Sequence, residues 1–217
     1  MKLWSYWRSS SAWRVRIALG LKKLPFEYVA VHLMQGGGQQ HEPGFTALNP
    51  NRQVPVLEVE ENGQLVRLVQ SMAIIEYLDE RFPEPPLLPP SASARAHVRA
   101  MAELVNSGIQ PLQNTGTFTE LKKHGVATEP WACLFITNGL TALEQLAAPR
   151  AGAFMFGDSP TLADVYLTPQ LYNARRWGVA LEAFPTLTRA ELSARALPAF
   201  RAAVPDAQPD AEARDLA

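Results

Sequence analysis

Five prolines fall within the nine residues Phe82-Pro83-Glu84-Pro85-Pro86-Leu87-Leu88-Pro89-Pro90. No helix passes through such a run, because each proline removes an amide donor and clashes with the preceding turn. Residues 82–90 therefore read as a semi-rigid linker, with Leu87 and Leu88 available to plug a groove. In front of it, strand-like and helix-like patterns alternate. Residues 3–6 are short, apolar and aromatic, and residues 12–22 carry Trp13, Val15, Ile17, Ala18, Leu19 and Leu21 at helical spacing. Residues 26–31 form a second strand pattern, and a β–α–β unit of this length implies parallel neighbours with a right-handed crossover. Residues 36–40, three glycines and two glutamines, read as loop. Residues 54–59 and 65–68 flank Glu61-Asn62-Gly63-Gln64, whose Asn-Gly pair predicts an antiparallel hairpin. Ser71 then caps an amphipathic helix over 71–81, with Ile74, Ile75 and Leu78 inward.

Behind the linker no strand pattern occurs. Helical periodicity covers 92–121, broken near Gly108 and Pro111, then 130–148, 162–176 and 187–204. Thr161-Leu162-Ala163-Asp164 has the spacing of a capping box, with Asp in place of the longer Glu or Gln. Residues 205–217 are polar and read as a frayed tail. The expected fold class is two-domain, α/β plus all-α: a βαβ–ββα domain over 1–81 and an all-helical domain over 91–217.

Composition narrows the chemistry. Lys and Arg number 20 against 21 Asp and Glu, so there is no basic field to recruit nucleic acid or an anionic membrane. Any anionic ligand must be met by local arginines. The single Cys133, in an apolar helical context, excludes an internal disulfide and reads as a buried inert thiol. His32, His41, His97 and His124 lack metal-ligand spacing, so no metal is expected. No Gly-x-Ser-x-Gly elbow occurs, and the triple glycine has no Lys-Ser/Thr after it. Neither a signal-peptide core nor an apolar run of membrane-spanning length is present, which points to the cytoplasm.

The chemical signal lies in Ser9-Ser10-Ser11, where the first strand gives way to the first helix. Most serine clusters in such a place only cap the helix. A helix N-terminus nevertheless exposes free N–H groups and partial positive charge, and added hydroxyls suit an anion such as a thiolate. Gln70-Ser71 offers the same features to a carboxylate at the last helix of the front domain. Arg8 and Arg176 are candidate carboxylate forks, whereas Arg175, on another face, reads as solvated.

The stretches Ser9-Ser10-Ser11-Ala12-Trp13-Arg14-Val15-Arg16-Ile17-Ala18-Leu19, Leu48-Asn49-Pro50-Asn51-Arg52-Gln53-Val54-Pro55, Gln70-Ser71-Met72-Ala73-Ile74-Ile75-Glu76-Tyr77-Leu78 and Gly108-Ile109-Gln110-Pro111-Leu112-Gln113-Asn114 are read together. With Gly157-Asp158 through Asp164 and the segment from Pro169 to Arg176, they resemble the glutathione transferase superfamily, zeta class, over nearly the whole chain. The resemblance implies a thioredoxin-like first domain with a cis-proline turn at Val54-Pro55, a helical second domain, a homodimer, and glutathione as cofactor. It further implies a cis–trans isomerase of a maleyl keto acid, maleylacetoacetate or maleylpyruvate, in which the thiolate adds to the double bond, rotation follows, and elimination gives the fumaryl product. A zeta-type conjugating transferase or α-haloacid dehalogenase, and a non-catalytic binding protein of the same fold, are the alternatives. By this resemblance Ser10, with Ser9 and Ser11, holds the sulfur, and Arg8 and Arg176 bind substrate. Glutathione would lie against Ser9, Ser10, Ser11, Ala12, Trp13, Arg14, Gln40, Val54, Gln70, Ser71, Gln110 and Asn114. The class pattern reads Ser-Ser-Cys before its Trp-Arg, and Ser11 replaces that cysteine, so adduct chemistry at this position is not expected.

Overall fold

In the computed structural model, which describes residues 1–211, the front patterns become a small mixed sheet. Strand β1 (Lys2–Ser5) leads into α1 (Ser10–Leu21) and β2 (Glu27–Ala30); after α2 (Pro43–Leu48) come β3 (Val56–Glu61), β4 (Gln64–Val69) and α3 (Ser71–Arg81). The strand order is β2-β1-β3-β4. β1 runs parallel to β2, with Leu3 opposite Tyr28, and antiparallel to β3, with Leu3 opposite Leu57. The β3–β4 turn places Asn62 at φ 52° and Gly63 at φ 76°, the left-handed pair that a two-residue hairpin requires. The short α2 falls where the sequence reads as loop. Six residues starting at Pro43 are too few to show periodicity, although proline suits a first helical position.

Residues Met1–Pro85 pack with residues 197–211 as one unit, and Pro86–Ala196 form the other. The sequence reading keeps the C-terminal stretch with the helical part; the contacts place it on the first unit. One long helix over 187–204 does not form. Instead α8 (Pro185–Arg195) stops and α9 (Pro198–Ala202) begins anew, since Pro198 cannot extend α8. Helix α1 lies between α3 and α9, which explains why nearly every residue from Ser10 to Leu19 is buried. A Cβ on Gly20 would come within 3.1 Å of Ala199 Cβ, so the α1–α9 approach depends on glycine there.

Arg16, 3% exposed, joins these parts. Its guanidinium donates to Ala203 O through Nε (3.2 Å) and Nη2 (3.0 Å), to Trp7 O (2.9 Å), to Tyr6 O (3.3 Å) and to Ser5 Oγ (3.0 Å). The tail is also anchored as far as it is described: Asp210 accepts from Trp7 N–H at 3.0 Å and from Tyr28 O–H at 2.7 Å. The rest of the stretch expected to fray, 212–217, lies outside the described residues. The linker residues are held too. Buried Lys22 pairs with Asp79 (2.9 Å) and donates to Phe82 O and Pro85 O, while in the helical unit Leu87 O accepts from Leu162 N–H.

The helical unit contains α4 (Ala92–Glu103), α5 (Thr115–Lys123), α6 (Thr128–Ala147), α7 (Leu162–Arg176) and α8. Between α4 and α5 the expected interruption appears as a widened turn over Leu104–Ile109 and a tight one over Gln110–Gln113. The capping box at α7 forms. Buried Asp164 accepts from Thr161 N–H (2.8 Å), Thr161 Oγ1–H (3.0 Å) and Met155 N–H (2.9 Å). Burial outweighs these bonds and pushes its carboxyl up to about 6 from 3.8. Asp164→Ala would strand these donors and should cost about 2–4 kcal/mol in urea unfolding. Because the folded value exceeds the unfolded one, the native state holds this proton more tightly. The contribution is therefore full below about pH 4 and lost as the pH rises through 6. Relative to Asp164→Asn, the unfolding free energy of the native protein should fall across that window and level off above it.

Candidate active site

Two helix N-termini meet one cleft. Ser11, Asn49, Gln53, Val54, Pro55, Gln70 and Ser71 line an open cleft in the first unit. α1 begins at Ser10 and α3 at Ser71, so the positive ends of both helices serve the same cleft. Successive helical positions point about 100° apart, so three consecutive serines cannot all face one way. Ser9 is the N-cap, its Oγ accepting from Ala12 N–H at 3.2 Å; that bond uses a lone pair and leaves the hydroxyl proton to be donated. Ser10 is buried, and Ser11 lines the cleft.

At α3 the cap position belongs to Gln70, not to Ser71 as the pattern suggested, and the Gln70 side chain caps nothing. Its φ of 71° is a left-handed conformation that side-chain-bearing residues seldom adopt. No Gln70 side-chain cap covers the start of α3. Ser71 Oγ accepts from Arg14 Nη1 at 3.5 Å. Arg14 is fully buried, as are Ala12 and Trp13, so these three support the cleft from behind and do not line it. Val54 and Pro55, joined by a cis peptide, precede the ladder residue Val56 that pairs with Trp4.

Other expected site residues are spread more widely. Arg8 is half-exposed, with its guanidinium 5.1 Å from the centre of the Trp7 ring. Gln40 is half-buried in the glycine-rich loop and donates to Leu33 O at 3.2 Å. Gln110, Asn114 and Arg176 belong to the helical unit; Asn114 precedes α5 and accepts from Thr115 Oγ1, and Arg176 is exposed at the end of α7. Arg175, expected to be solvated, is exposed and also forms a two-pronged ion pair with Glu191 of α8. Glu191 is buried beside it, and that demand for a partner is invisible in α7 alone.

Asn49 and Gln53 are the lining residues that sequence reasoning did not assign. Asn49 Nδ2 donates to Gln53 O at 2.7 Å and its Oδ1 accepts from Asn51 N–H at 3.0 Å, closing the loop that delivers Val54. The Asn-Pro-Asn sequence, a turn signature, was the available clue. Among the described residues, no cluster of three His, Cys, Asp or Glu could hold a metal, and no helix is long and apolar enough to cross a membrane.

Family models agree with this construction. The glutathione S-transferase N-terminal domain matches residues 8–81 and the C-terminal domain matches residues 136–205. The chain belongs to the glutathione S-transferase family. More particularly, it is 47% identical to the maleylacetoacetate isomerase of Pseudomonas aeruginosa over 98% of this chain and 100% of that protein. It is 45% identical to a maleylpyruvate isomerase of a Ralstonia species, covering 97% and 99%. The crystal structure of an Anaeromyxobacter dehalogenans maleylacetoacetate isomerase with bound GSH superposes with a TM-score of 0.90 at 55% identity, covering 97% of each chain.

Asn49→Ala removes both loop bonds and leaves Gln53 O and Asn51 N–H to find other partners. It should lower stability by about 2 kcal/mol in urea unfolding.

Proposed function

We propose that the protein is a glutathione-dependent cis–trans isomerase of a maleyl keto acid, maleylacetoacetate or maleylpyruvate. The observation that carries the reading is the convergence of the α1 and α3 N-termini on one cleft. One end, with Ser9 and Ser11, suits a thiolate; the other, with Ser71, suits a carboxylate; and glutathione carries both. Full-length similarity to isomerases of both substrates supports the same choice.

The lining fits the ligand without rearrangement of charge. The first amides of α3 and the Ser71 hydroxyl would receive the γ-glutamyl carboxylate, with buried Arg14 adding positive potential from behind. Val54, just ahead of the β3 ladder, would pair its backbone with the cysteinyl backbone as an added strand does. Gln40, Gln110 and Asn114 would supply neutral hydrogen bonds. The Ser9 hydroxyl proton, the Ser11 hydroxyl and the opening amides of α1 would hold the negative sulfur and lower the thiol pKa. Ser10, the serine preferred from the sequence, would add its hydroxyl from the first position of α1. When bound, glutathione supplies a thiolate that adds reversibly to the cis double bond and leaves again after rotation to the trans form. Arg8 and Arg176 would take the substrate carboxylates, and Arg8 would also stabilise negative charge that develops during the reaction. The work left to the protein is positioning and electrostatics. We assign it a cytoplasmic location and a homodimeric state, which sizing in solution would check.

The test is to supply purified protein with glutathione and each maleyl substrate in parallel and to follow the fumaryl product. Arg8→Ala and Arg176→Ala should each lower kcat/KM by about ten- to a hundredfold. Full turnover without glutathione, or accumulation of a thioether in place of the fumaryl isomer, would refute the reading.

A further inference from the structure

The turn that delivers Arg8 and Ser9 is held by the far end of the chain. Tyr6–Ser9 is closed by a Ser9 N–H to Tyr6 O bond of 3.0 Å. Within it Tyr6 O and Trp7 O also accept from Arg16, at 3.3 and 2.9 Å, and Trp7 N–H donates to Asp210 Oδ2 at 3.0 Å. The guanidinium that holds the turn also holds Ala203 O, so strap and turn share one anchor. Asp210 is fixed from its other oxygen by Tyr28 O–H at 2.7 Å. Trp7, whose ring lies under the Arg8 guanidinium, is fully buried. A buried amide that lost Asp210 would have to move to find another acceptor. Such a move would carry Arg8, the Ser9 cap and the first amides of α1 with it.

We propose that Asp210 is a positioning residue for the thiolate site, acting through the Trp7 amide on the turn that aims Arg8 and Ser9. The proposal rests on the glutathione reading for its effect on sulfur, and on geometry alone for its effect on the turn. Arg16 is a poor probe, because its loss would empty the core of the unit; half-exposed Asp210 is a better one. In Asp210→Ala the pKa of bound glutathione, read from thiolate absorbance in the binary complex, should rise by about one unit. kcat should fall about tenfold, while KM for the maleyl substrate changes less than threefold. Asp210→Asn should recover to within about threefold, because its amide oxygen can accept from Trp7 and its amide nitrogen can donate to the Tyr28 oxygen. Tyr28→Phe keeps the Trp7 bond and should stay within about twofold of the native protein.

Amide hydrogen exchange in the unliganded protein tests the geometric half independently. Exchange at Trp7 and Ala12 should accelerate in Asp210→Ala by about tenfold more than at Leu57 and Val59 of β3. An unchanged thiol pKa and kcat, with the loss confined to melting temperature and exchange rising evenly across β3 and α1, would overturn the proposal. If the native protein binds no glutathione, the functional reading fails, and the exchange pattern still decides whether Asp210 fixes the turn.

Discussion

The first unit is organised around one buried guanidinium. Arg16 gathers Ser5 at the end of β1, the carbonyls of Tyr6 and Trp7 in the following turn, and Ala203 beyond α9. Burial pulls its pKa down to about 10, opposed by Tyr28 and Asp210, and a group at that value keeps its charge at neutral pH. Lysine could not take its place. Three tetrahedral donors on a flexible stem do not reproduce a planar fork that meets acceptors on both sides. Each acceptor is otherwise a buried polar atom without water, so removing the fork would strand several at once. This is why the C-terminal segment belongs with the sheet and not with the helices it follows in sequence.

From that anchor the site follows in sequence. A turn fixed at both of its carbonyls delivers Ser9 to the cap of α1, and the same helix carries Arg14 to Ser71 at the start of α3. Helix α1 thus serves both helix starts at the cleft, one at its own N-terminus and one through a buried side chain a turn further on. Gln70 shows the cost of the second. Its left-handed φ of 71° is a strain of about 1–3 kcal/mol that a glycine would avoid. The conformation turns the chain sharply from β4 into α3 and leaves the opening amides of α3 facing the cleft.

The elements legible in the sequence are those with a local cause. The β–α–β unit and hairpin followed from periodicity and Asn62-Gly63, the start of α7 from Thr161 and Asp164, and the break after α4 from Gly108 and Pro111. The candidate site was legible as a set of motifs, not as a set of directions. Which serine faces the cleft depends on the phase of α1, which is set by packing against both α3 and α9. Arg14 lies behind the cleft for the same reason. Arg175 pairs with Glu191 on the next helix, and Trp7 with Asp210 at a separation of 203 residues. Contacts of that range leave no mark in any local window. The position of residues 197–211 could be read only once the buried acceptors around Arg16 were known.

Among the described residues, the protein lines the cleft with no thiol, imidazole or carboxylate. Its only cysteine, Cys133, lies in α6 and donates to Trp177 O at 2.9 Å. Ser11 stands where the resembling class has a thiol. The residues lining the cleft are hydroxyl, amide and aliphatic, and none of them titrates near neutral pH. Such a surface offers no general base near neutral pH, yet it can hold negative charge through hydroxyls and amides. On the proposed reading the reactive group enters with the ligand, and the ionisation that would govern turnover is that of the bound thiol. Ser9, Ser10, Ser11 and the α1 amides would set that ionisation by where they point, and the turn before α1 would be the part of the fold on which the chemistry depends.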